Sequence, residues 1–106
     1  MACSLDLAPL VPTAKAGAKV TIKLVAATAL LQRASLNDVD LTVDQASKSV
    51  SFTVPAGTNT VILVLSPPPT SEAIDVVEDC GNGQTQSIIS FTSGIHFFVK
   101  FNIIAN

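Results

Sequence analysis

Ser49–Leu65, SVSFTVPAGTNTVILVL, constrains the fold more than any other stretch of the chain. Val50, Phe52 and Val54 alternate with Ser49, Ser51 and Thr53. Successive side chains of a strand point to opposite faces, so this half predicts a strand with one apolar and one hydroxylated face. Pro55-Ala56-Gly57 supplies turn chemistry, proline by fixing φ and glycine by accepting a positive one. Thr60–Leu65 is apolar on both sides, with Val61, Leu63 and Leu65 opposite Ile62 and Val64. The expectation is a β-hairpin whose second strand is either central in a sheet covered on both faces or part of a subunit contact. Pro67-Pro68-Pro69 ends it, because proline cannot donate to a ladder.

The same alternation recurs along the chain. Val20, Ile22 and Leu24 face one way in Lys19–Val25, and Lys19, Thr21 and Lys23 the other. Ala26–Ala34 mixes helix-favouring residues with a position between strands and is read as β. Val39, Leu41 and Val43 alternate with Asp38, Asp40, Thr42 and Asp44, which predicts a half-buried strand. Ala73–Cys80 and Thr85–Thr92 flank Gly81-Asn82-Gly83, where Asn-Gly marks a tight hairpin. Ile95–Ile104 is the longest predicted strand, with Ile95, Phe97, Val99, Phe101 and Ile103 inside and His96, Phe98, Lys100 and Asn102 outside. Seven to eight short strands separated by turns predict an all-β fold: an antiparallel β-sandwich, immunoglobulin-like or jelly-roll, spanning residues 19–106. Residues 1–18, with Pro9, Pro12 and Gly17 among Leu5, Leu7, Leu10 and Val11, read as an extended N-terminal arm.

Composition narrows the function classes. The 106 residues are enough for one domain. Only 13% are charged, about half the usual share, while 48% are hydrophobic. So much uncharged surface points to cover by a partner or by copies of the chain, or to a neutral Ser/Thr-coated sandwich. A net charge of −2 with six basic residues argues against a nucleic-acid partner. No apolar run approaches the ~20 residues of a membrane span. MACSLDLAPLVP lacks the basic and apolar regions of a signal peptide. The chain is therefore expected to stay in the cell, to leave without such a leader, or to be a mature form with an added start.

The residues that carry chemistry are few. His96 is the single histidine, and no G-x-S-x-G elbow or other cue pairs it with a nucleophile. One histidine and two cysteines fall short of a zinc site, and no cofactor motif is present. Cys3 and Cys80 fit either one disulfide or two unrelated thiols. A disulfide would be worth about 4–5 kcal/mol in the chain-entropy model and would favour an extracellular or cell-surface location over the cytoplasm. Asp38, Asp40 and Asp44, and Glu72, Asp75, Glu78 and Asp79, are candidate calcium ligands, but residues two apart on a strand lie roughly 6.8 Å from each other, too far for one ion. Trp and Tyr, the usual platforms for sugars, are absent.

The expected function is a non-enzymatic structural or interaction module, a homo-oligomer or partner of another protein. Its candidate contact residues are Leu5, Leu7, Leu10, Val11, Ile62, Val64 and Phe98. The alternative is a small accessory module binding carbohydrate or calcium.

Overall fold

The computed structural model describes residues 3–66, 71–93 and 98–106. It is all β: β1 Thr13–Ala14, β2 Lys19–Val25, β3 Leu31–Leu36, β4 Val39–Leu41, β5 Val43–Asp44, β6 Ser49–Thr53, β7 Gly57–Leu65, β8 Ala73–Gly81, β9 Gln84–Thr92 and β10 Phe98–Ala105. These form two five-stranded sheets packed face to face, β1-β10-β7-β3-β4 and β5-β6-β2-β8-β9. β3 and β4 lie across from β5 and β6. The strand order then sets β10 and β1 across from β8 and β9. Every pairing is antiparallel except that of β1 with β10, which is parallel. The strand count exceeds the expected seven to eight because β1, β4 and β5 are fragments of two or three residues.

Burial follows the predicted alternation. Val20, Ile22 and Leu24 meet Val50, Phe52, Ile74 and Val76 from one sheet, and Leu31, Val61, Leu63, Phe101 and Ile103 from the other. Val99, Phe101, Ile103 and Ala105 are buried on β10, whereas Phe98, Lys100, Asn102 and Ile104 are exposed. Cores of this kind gain about 25 cal/mol for each Å² of apolar surface removed from water.

Three local expectations need correction. Ser49–Leu65 is not a hairpin. β6 pairs with β2 and β5, while β7 pairs with β10 and β3, so Pro55–Gly57 carries the chain from one sheet to the other. Asn59, 1% exposed, holds this arch: its Nδ2 donates to the carbonyls of Pro55 (2.8 Å), Gly57 (3.1 Å) and Ile103 (3.3 Å). Nor is Val39–Asp44 one strand, since it breaks at Thr42, with β4 in one sheet and β5 in the other. Within Ala26–Ala34, regular strand begins only at Leu31; the preceding loop is tied elsewhere, as described below.

Candidate functional site

β8 and β9 form the outer hairpin of the second sheet. Asn82 and Gly83 span its two-residue turn with φ of 53° and 75°, the left-handed pair that Asn-Gly accommodates and the sequence predicts. β9 is thereby left at the sheet edge over nine residues. The other edges are β5 and β1, two residues each, and β4, three. Among the described residues, no backbone group on the outer side of β9 has a hydrogen-bond partner.

An edge of that length is ordinarily blunted by Lys, Pro or a covering segment. QTQSIISFT contains neither charge nor proline. Its one irregularity is a bulge that leaves Ile88 unpaired between Ser87 and Ile89. Ser87 and Ser90 Oγ both donate to Asp75 Oδ1, at 2.6 and 2.9 Å, which fixes the outward face of the strand. Ile88, Ile89 and Phe91 are half-buried against the core. Ile89, Phe91 and Thr92 line one wall of a groove of about 240 Å³, with Phe98 and Val99 of β10 as the other.

The contact residues expected from sequence separate into two groups. Ile62, Val64 and Phe98 come together on the outer face of the first sheet: Phe98 stands opposite Val64, and Ile62 opposite Lys100. Phe98 is 61% exposed there, and the Arg33–Asp40 ion pair (3.2 Å) borders the patch. In the arm, Leu10 is fully exposed, and Leu7 and Val11 are half-buried. Leu5 lies apart from both groups, buried in the hydrophobic core on which the arm packs.

The arm is fastened at both ends of residues 3–6. Cys3 and Cys80 form a disulfide across 77 residues with Cα atoms 4.8 Å apart. Beside it, Glu78 is 1% exposed, and its carboxylate accepts the backbone N–H groups of Ser4 (2.9 Å) and Leu5 (3.0 Å) and the Gln86 Nε2 (2.8 Å). Gln86 Nε2 also donates to the Leu5 carbonyl at 2.8 Å. Asp6 then bridges to Thr13, which leads into β1. Cys3, Glu78 and Cys80 bring their ligand atoms within 4.8 Å of one another, but the sulfurs are spent on each other.

The remaining acidic residues serve separate local roles. Asp40 pairs with Arg33, Asp44 accepts the Ala46 N–H, and Asp79 accepts the Gly81 N–H. Glu72 caps the loop before β3, accepting the N–H groups of Thr28 and Ala29 and the Thr28 hydroxyl. Partial desolvation raises its pKa, but these hydrogen bonds, led by Ala29, and the Lys48 charge together hold the carboxyl below its ordinary range. His96 lies outside the described residues, as do Ile95, Phe97 and the triple proline. Sequence reasoning missed Asn59, Gln86 and the inward turn of Glu78. Only the last had a signal, since Glu78 shares the Ile74/Val76 parity.

Set against protein-family models, curated proteins and solved structures, the chain matches none.

Proposed function

We propose that the chain is a non-enzymatic structural module that associates with copies of itself, β9 of one copy pairing antiparallel with β9 of the next. The observation that carries this reading is the nine-residue, uncharged and unpartnered edge. A strand paired with itself about a two-fold axis is self-complementary, and its main-chain hydrogen bonds supply affinity without dedicated side chains. No like charges meet along such a seam, and Ile88 and Phe91 gain cover. The low charged fraction of 13% fits a chain that hides surface in this way. Two face-to-face sheets paired almost wholly antiparallel fit a sandwich of immunoglobulin-like or jelly-roll type. The Cys3–Cys80 bond favours an oxidising, extracellular or cell-surface setting.

Lysines on the edge test the proposal. In Ser87→Lys/Ser90→Lys both new ammonium groups sit beside Asp75, so the monomer keeps its fold while the edge becomes charged. Light scattering should give a dimer or larger species for the native chain and a monomer for the variant. A native chain that stays monomeric through the micromolar range, or a variant that associates equally well, overturns the reading.

A further inference from the structure

The slot that receives residues 3–6 is cut for this chain's own arm. It offers a carboxylate to two successive N–H groups, an amide to one carbonyl, an apolar socket to Leu5 and a sulfur to Cys3. Ser4 Oγ adds a bond to the Lys19 carbonyl at 2.9 Å. An occupant must present all of these in register, and a second copy of the chain does.

The connection to the body of the domain is a short reversal. Between Asp6 and Thr13 the chain turns through Leu7–Pro12. Two Asp6–Thr13 backbone hydrogen bonds (2.8 and 3.1 Å) close its base, and Leu7 packs on the core. At its tip, Ala8–Val11 has, among the described residues, one hydrogen bond, the Ala8 N–H on Asp6 Oδ1. Pro9 and Pro12 fix their own φ and restrict the residues before them, which limits the conformations this connection can take. Leu10 is fully exposed at its tip. A short connection carrying a segment that fits the same slot in any copy of the chain is the usual basis of domain swapping.

We infer that the arm exchanges between copies, and that the Cys3–Cys80 bond controls the exchange. While the disulfide stands, each arm is tied to its own slot. A small thiol reductant opens it: two thiols are oxidised to a disulfide, and Cys3 and Cys80 each take up one electron and one proton. The freed arm then seats either in its own slot or in that of a neighbour. Reoxidation by a small disulfide returns two electrons and two protons to that reagent and leaves Cys3 of one copy bonded to Cys80 of the other. This exchange is independent of the β9 edge, which lies outside the slot apart from Gln86.

The test mixes equal amounts of isotopically light and heavy chain, reduces them with glutathione at high protein concentration, and reoxidises them with glutathione disulfide. Peptides spanning the Cys3–Cys80 bond are then read by mass spectrometry under non-reducing conditions. The expected result is mixed light–heavy Cys3–Cys80 peptides that approach the random-mixing share as concentration rises. Covalent dimers should accompany them on a non-reducing gel. The Ser87→Lys/Ser90→Lys variant should give the same mixed peptides, so loss of edge pairing and loss of arm exchange are told apart. Only light–light and heavy–heavy Cys3–Cys80 peptides at every concentration, or covalent dimers joined through Cys3–Cys3 or Cys80–Cys80 alone, would overturn the inference.

Discussion

At the scale of single residues, the chain places its costliest group where it has the most partners. Glu78 is an almost wholly buried carboxylate, which is tolerable only because three donors converge on it. Glu78→Gln keeps the shape but turns one acceptor into an amide donor, so at least one of the Ser4, Leu5 or Gln86 N–H groups faces a donor. The expected loss is about 1–3 kcal/mol, read as a lower denaturant midpoint with the disulfide intact. An unchanged midpoint would show that the arm contacts contribute nothing. The disulfide partners were visible in the sequence only as two cysteines. Neither their pairing nor the carboxylate beside them follows from spacing, because both depend on how the arm crosses β8.

Among elements, the two halves of Ser49–Leu65 show where local reasoning reaches its end. Alternation at Val50, Phe52 and Val54 and at Val61, Leu63 and Leu65 identified both strands and their buried faces correctly. Alternation does not identify a strand's neighbour, and Pro-Ala-Gly suits an arch between sheets as well as a hairpin. The arch follows from the pairing of β7 with β10, far along the chain, where the Asn59 amide also reaches the Ile103 carbonyl. By contrast Asn82-Gly83 was legible, because a two-residue turn with positive φ permits little but a hairpin.

The loop before β3 carries a prediction of its own. Glu72 ties Thr28 and Ala29 to the start of β8, and its pKa is lowered from 4.5. A carboxyl with a depressed folded pKa stabilises the fold fully above its unfolded value, and that gain disappears as pH falls through the folded one. The stability difference between the native chain and Glu72→Gln should therefore be constant at neutral pH and shrink below about pH 4.5. The other carboxyls are common to both proteins and cancel. Chemical denaturation at a series of pH values checks this, and a difference that holds steady down to the acid limit would contradict it.

For the whole molecule, the decisive property is which edges of the sandwich remain open. Three are two- or three-residue fragments, and β9 alone is long. The sequence shows that Gln84–Thr92 lacks charge and proline, but that feature is equally suited to a central strand. Only the pairing order turns it into an exposed template. The apolar outer face at Phe98, Val64 and Ile62 belongs to the same level of description. Ile62 and Val64 are expected contact residues because Thr60–Leu65 is apolar on both sides, and Phe98 because it points outward from its strand. The fold gathers all three on the opposite sheet from β9.

The most direct measurement of edge pairing is backbone hydrogen exchange along β9 as protein concentration is raised. If β9 pairs with β9 of a second copy, its outward amides slow with concentration in the native chain and stay fast in Ser87→Lys/Ser90→Lys, while β2 and β8 amides are unaffected in both. Outward β9 amides that exchange at one rate at every concentration would contradict the account.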